Sequence, residues 1–330
     1  MPPTTYYGQP ALKPAPWDWK VPVYTFVTPV AGAAQLIGTI ADLAAGERAA
    51  SIVRRARYGA VLGAALGGPL LIGDLHTPAR WYNMLRIFRA TSPMSIGSWL
   101  LTSFGAFSSV LALAHYASER SAGAGLPRLL VAVARWPAAV TGAGMSFYSA
   151  SLFTATSSPL WAAAPRSLSV KFGSSAVAAA AAGLSLFEQA GARPSPATAA
   201  LDGIAGAATA MNLGASVVAA RHWREQGVKG PLEGPSATAA SYRIGAILLG
   251  QLLPLACYAI NASRAKPSRA LSMLASASVL CGSYLMRVGV IEGGKHSSER
   301  PVDSLRFASR GRPEPGPLAR SRRAIGRAED

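Results

Sequence analysis

Four histidines, His76, His115, His222 and His296, are the first residues to test for redox chemistry. A haem in a membrane protein needs imidazoles that face each other at one depth. Each of the four lies at an end of an apolar stretch or between two, so a b-type haem is not expected. Cys257 and Cys281 each lie in an apolar stretch with no Cys-x-x-Cys spacing. Neither an iron–sulfur cluster nor a zinc site is expected from them. Gly67-Gly68 runs into Pro69 with no Lys-Ser/Thr to follow, so it is not a phosphate loop. No His-Glu-x-x-His pattern occurs, and no metal site is expected.

Ionisable residues inside apolar stretches are the next chemical signal. Charge is costly in lipid, so such residues are buried in protein or line a wet path. Asp42, Glu188 and Arg287 lie within a turn or two of predicted span ends, where snorkelling or loop-side ion pairing is expected. Arg135, Asp202 and Arg243 lie deeper, and are candidates for either a structural ion pair or a proton path.

These residues are held by long apolar stretches. Half of the 330 residues are hydrophobic and only 14% are charged, against about 25% in a soluble domain. The composition therefore points to a membrane protein. The net charge of +17 could suggest nucleic acid. However, its Lys and Arg sit in short clusters beside apolar runs and in the last forty residues or so, the ordinary pattern flanking membrane spans. No nucleic-acid partner is expected.

A spanning helix needs about 20 mostly apolar residues. Eight stretches qualify: Val21–Ala44, Tyr58–Leu75, Ile96–Ala117, Leu129–Phe153, Ser169–Ala190, Ala197–Ala220, Thr238–Asn261 and Ala270–Ile291. The second and fifth are short and rich in Gly or Ala. The short connections predict antiparallel neighbours in one all-α bundle over residues 1–291. The segment 292–330, with Pro301, Pro313, Pro315 and Pro317 among many arginines, is expected to be a flexible basic tail. The loops of the two faces carry similar numbers of Lys and Arg, so charge assigns no orientation.

The densest block follows the second span. Asp74-Leu75-His76 ends it, and Pro78 opens an amphipathic segment with Trp81, Met84, Leu85 and Phe88 on one face. That pattern predicts a helix lying in the membrane interface. Ser92-Pro93-Met94-Ser95 then caps the third span.

The stretch GPLLIGDLHTPARWYNMLRIFRATSPMSIGSWLL resembles the signature of the NrfD family, the membrane-anchor subunits typified by polysulfide reductase. The segments TYYGQPALKPAPWDWKVPVYTF, MSFYSASLFTATSSPLW and RVGVIEGGKHSSERP resemble the approach to the family's first helix, the end of its fourth and its close. The resemblance covers about a third of the chain. It implies an eight-helix bundle in the bacterial cytoplasmic (inner) membrane. Such a bundle exchanges electrons between a menaquinone or ubiquinone and a ferredoxin-like iron–sulfur subunit, beside a catalytic subunit of the same complex.

By the same resemblance, the quinone would lie near Trp17, Asp18, Lys20 and Tyr148. Asp18 stands where some relatives place a histidine. Asp74 and His76 reach the same face by span parity and are the candidate proton donors. The alternative is a structural or ion-translocating subunit without quinone chemistry, with a buried polar chain through Arg135, Asp202 and Arg243.

Overall fold

The computed structural model describes residues 12–120, 125–191 and 197–310. No strand occurs among them. The long helices are α1 (Lys20–Ala45), α2 (Ala50–Gly73), α3 (Pro93–Arg120), α4 (Gly125–Thr154), α5 (Pro165–Ala190), α6 (Thr198–Gln226), α7 (Ala237–Ala262) and α8 (Arg269–Glu299). The middle of α7, Ser241–Leu252, winds with the wider π-type turn.

Seven helical stretches among the described residues are long and apolar enough to cross a membrane. The first, Lys20–Gly73, is 54 residues long and contains both α1 and α2. The 3₁₀ turn Gly46–Ala49 divides it, and Gly46 takes a positive φ of 51° that favours glycine. The two halves lie side by side and antiparallel, with Gly38 against Ala56, Gly63 against Ala31 and Gly67 against Thr28.

The distribution of side chains is that of a body in lipid. Leu113, Val140, Phe187 and Leu62 are exposed on the outside. Lys171, Arg287, Gln35 and a series of serines are buried inside. Nothing apolar outside the bundle drives helices together in a bilayer, so close packing must. Small residues make this packing: Gly32 of α1 meets Gly142 of α4, and Gly250 of α7 meets Gly282 of α8. At the second crossing a Cβ on Gly282 would overlap the Cα of Gly250.

The face where α1 begins is sealed by the short helix Pro159–Ala162. Trp161 Nε1 donates to the carbonyl of Val290, and Trp223 Nε1 to that of Leu160, both at 2.8 Å. Ser158 donates to the carbonyl of Gly294 at 2.7 Å. These bonds tie α6 and α8 to the connection between α4 and α5.

Two segments depart from the expectation. The expected tail from residue 292 is helical for eighteen residues more: α8 continues to Glu299, and Pro301–Arg310 forms a further amphipathic helix. Gly293, Gly294, Ser297 and Ser298 are buried, because small residues let this end of α8 pack beneath Trp161 and Leu232. Residues 311–330 lie outside the described residues. The segment Pro78–Leu85 is exposed and turns as a 3₁₀ helix broken at Arg80, not as an α-helix. Two elements of the expected apolar face do pack, with Met84 against Ser98 and Phe88 edge-on to Trp99 at 6.3 Å.

Candidate functional site

At the N-terminal face the first turn of α1 meets the end of α2. Asp18 accepts the backbone N–H of Lys20 at 2.8 Å and also pairs with its ammonium group. The Lys20 stem lies against Gly73, the last residue of α2. Asp74 follows directly, facing Asp18 and its backbone amide, with His76 nearby and exposed. The structure therefore brings Asp18, Lys20, Asp74 and His76 together.

The two carboxylates are pushed in opposite directions. The hydrogen bond from Lys20 holds Asp18 below the ordinary carboxylate range. Burial, followed by the charge of Asp18, raises Asp74 above it. Two acids in different environments at one site are the arrangement in which one stays ionised and the other exchanges a proton.

Tyr148 of α4 is buried in a cluster with Tyr24, Leu101 and Phe104. Its hydroxyl donates to the carbonyl of Pro93 at 2.6 Å, and its ring fills the space left by the missing side chain of Gly97. Tyr148 thus fixes the start of α3. Trp17 lies elsewhere, stacked on Trp161 at 5.3 Å and edge-on to Phe153 at 5.6 Å.

A slot of about 450 Å³ lies between α2 and α3, beneath Trp81 and Met84. Its walls include Gly68, Leu71, Ile72 and Leu101, with Ser98 and Thr102 among its polar groups. It lies about a quarter-turn around α2 from the side that faces α1, where Asp74 emerges. Leu71 and Leu101 also pack in the cluster of Tyr148, so the slot and the tyrosine share a wall.

Two side chains stand out, of which the sequence singled out only Arg287, as a residue expected to snorkel. Lys171 of α5 and Arg287 of α8 are both fully buried. Neither has a carboxylate partner among the described residues. Arg287 donates from Nε to the carbonyl of Thr25 at 2.6 Å, and from Nη1 to the Ser283 carbonyl at 2.6 Å, Ser283 Oγ at 2.8 Å and Ser175 Oγ at 3.1 Å. Its Nη2 has no hydrogen-bond partner among the described residues. Phe26 and Phe172 flank its guanidinium at 5.4 and 5.7 Å. Lys171 donates to Ser216, which also accepts from Gln251 at 3.0 Å, and its ammonium lies 5.1 Å from the ring centre of Tyr242. Ser216 and Tyr242 line a groove of about 520 Å³ that Lys229, Glu233 and Arg243 also line. Lys171 is only two residues inside the predicted fifth span, so a search for charged residues at predicted mid-depth passes it over.

Arg135, Asp202 and Arg243 do not form one chain. Arg135 lies at the opposite face, 3.7 Å from Asp42, which also pairs with the buried Arg57 at 2.8 Å. Arg57 in turn lies 2.7 Å from Nδ1 of His115. Asp202 accepts from Ser185 of α5 at 2.5 Å and from Ser272 of α8. Arg243 is exposed, only six residues into α7. Helical phase separates them: each turns to a different neighbour. Arg287, expected to snorkel, is instead buried because α8 extends to Glu299 and places it about three turns deep. Glu188 is also buried, and pairs with Arg55 at 2.6 Å. Among the described residues no group of three or more His, Cys, Asp or Glu could hold a metal ion.

A family model described as "Polysulphide reductase, NrfD" matches residues 9–297. No curated protein matches the chain.

Proposed function

The chain belongs to the NrfD family, and on that premise we propose that it is the quinone-reactive membrane anchor of a respiratory oxidoreductase complex. Members of this family are membrane-anchor subunits of oxidoreductase complexes, and they associate with iron–sulfur and catalytic subunits. The chain itself is a multi-pass membrane protein. In this reading α1 and α2 cross separately, which gives eight crossings in a bacterial inner membrane, with the N-terminal face docking a ferredoxin-like iron–sulfur subunit.

The observation that supports the site is the convergence of Asp18, Lys20 and Asp74 at the end of α2, whose last turn also lends Leu71 and Ile72 to the α2–α3 slot. An apolar slot with a few hydroxyls suits a prenylated ring, and the raised Asp74 suits the protons that its chemistry needs. When bound, the quinone supplies two-electron, two-proton redox chemistry. The chain's residues do the rest. Leu71, Ile72 and Leu101 bind the ring and exclude water. Tyr148 sets the slot's width by fixing the start of α3 at Pro93 and Gly97. Asp74 holds and releases a proton, and exposed His76 passes it to water. Asp18, locked to Lys20, stays charged and keeps Asp74 poised. Trp17 packs on Trp161 and Phe153, outside the slot.

Quinol turnover of the complex purified with its partners tests this. Asp74→Asn is expected to lower turnover on the order of a hundredfold, the usual loss for a general acid or base, with bound quinone retained. Unchanged turnover would remove Asp74 from the mechanism.

A second reading is favoured by the seam between α5 and α8. Ser175 and Gln189 on α5 hydrogen-bond to Ser283, Arg287 and Ser272 on α8, while Ser185 bonds to Gln189 on its own helix, Lys171 to Ser216 and Ser276 to Tyr258. Val279, Ala178 and Ala182 interrupt the seam between Ser276 and Ser283, about 10 Å of helix. In this reading the chain moves protons, with Lys171 reached from the groove at Ser216 and Tyr242. Lys171→Met would then abolish proton uptake by proteoliposomes holding the complex while quinol turnover persists in detergent.

A further inference from the structure

A groove larger than the α2–α3 slot lies away from the proposed quinone site. It has a volume of about 690 Å³ and runs between α1, α2 and α5. On α2 it extends from Ser51 to Leu66, about 22 Å along the helix, a large part of the roughly 30 Å hydrocarbon core. Its floor is made of small residues, including Ala31, Ala34 and Ala180. Two glycines keep it open: a Cβ on Gly59 would meet nothing within 4 Å, and one on Gly183 only Leu280 at 3.8 Å. Leu62, Leu66 and Phe187 form an outer rim, exposed where lipid would lie.

One end of this groove is cationic. Arg54 and Arg55 line it beside Ser51 at the face where α2 begins. Arg55 and Ser51 both bond to Glu188, at 2.6 and 3.0 Å, which balances one positive charge. Arg54 is exposed, lies 5.9 Å from the ring centre of Tyr58, and has no carboxylate partner among the described residues. A tyrosine at this level is an interface anchor. The groove therefore ends in a net positive charge at headgroup depth, above an apolar channel long enough for one acyl chain.

We propose that this groove binds an anionic phospholipid, with its phosphate at Arg54 and one acyl chain lying over Gly59 and Gly183. Basic pockets between spanning helices favour anionic headgroups. A neutral quinone has no negative charge to match Arg54, and a partner helix would not need a cation at the end of a narrow channel. The site is distinct from the α2–α3 slot and stands whether or not the quinone reading does.

Two variants of the full-length protein separate headgroup from chain. Arg54→Glu reverses the unpaired charge. Gly59→Leu fills the channel with a residue that favours helix, so the fold is retained; thermal unfolding checks this. Native mass spectrometry of detergent-purified protein, incubated with phosphatidylglycerol or phosphatidylethanolamine, reads retention. Wild type is expected to retain phosphatidylglycerol about fivefold better than phosphatidylethanolamine, the equivalent of about 1 kcal/mol per basic residue near the surface. Arg54→Glu should remove that preference, and Gly59→Leu should lower retention of both lipids. Equal retention of the two lipids by wild type, or retention unchanged in both variants, would overturn the proposal. So would recovery of a quinone or a co-purified peptide displaced by Gly59→Leu.

Discussion

Arg287 is coupled to a proline on another helix, and the coupling has a size that can be measured. Pro29 lies inside α1 and has no N–H, so the carbonyl of Thr25 four residues earlier lacks its helical donor. Arg287 Nε supplies one across the bundle at 2.6 Å. Ser175 and Ser283 hydrogen-bond to each other at 2.5 Å and would stay satisfied without the arginine. The Ser283 carbonyl belongs to α8 and keeps its place in the helix. Replacing Arg287 with Met therefore orphans chiefly one buried carbonyl, at a cost of about 1–3 kcal/mol. Part of this is offset, because a well-packed apolar side chain replaces a buried cation whose Nη2 has no hydrogen-bond partner among the described residues. Pro29→Ala restores the missing N–H, so the cost of Arg287→Met should largely vanish in that background. Unfolding of all four proteins in mixed micelles gives the double-mutant cycle. A coupling of about 1–3 kcal/mol is expected, and one below about 0.5 kcal/mol, the limit of additivity for independent sites, would refute the reasoning.

Other consequences follow from the same geometry. Gly97→Ala would place a Cβ in the Tyr148 ring, so it should cost about 1–3 kcal/mol and weaken quinone binding. Tyr148→Phe, which loses only the bond to Pro93, should cost about 0.5–1.5 kcal/mol in thermal unfolding. Gly282→Val should prevent α7 and α8 from closing at Gly250, seen as loss of the monodisperse folded species in detergent chromatography. Asp74 has a folded-state pKa above its unfolded value, so the folded state binds its proton more tightly and stability falls as pH rises through that window. Asp74→Asn lacks this loss. Its stability relative to wild type should therefore improve as pH rises from about 4 and then level off, in melting curves taken across pH.

The helices were legible because hydrophobic runs record the bilayer directly. Their ends were less so. The second helix begins at Ala50 and not at Tyr58, because Arg54, Arg55 and Arg57 lie inside it and read as loop. The last helix outruns its apolar stretch because Gly293, Gly294 and the following serines are buried by packing. Asp18, Lys20 and Asp74 could be grouped from span parity, since helices that alternate direction bring particular ends to one face. Side-chain phase could not be read that way. Arg135, Asp202 and Arg243 seemed alike in depth but point to three different neighbours. Lys171 stood near a predicted span end, and Ser216 and Tyr242, which it meets, come from two other helices. Such a network exists only in the folded bundle.

The central claim is that a quinone is held between the end of α2 and the start of α3. Photolabelling of the assembled complex with an azido-quinone, followed by peptide mapping, tests it most directly. Label is expected within residues 68–102, displaced by excess quinone and reduced by Gly97→Ala. Label confined to the α1–α2–α5 groove or to the partner subunits, with residues 68–102 unlabelled, would contradict it.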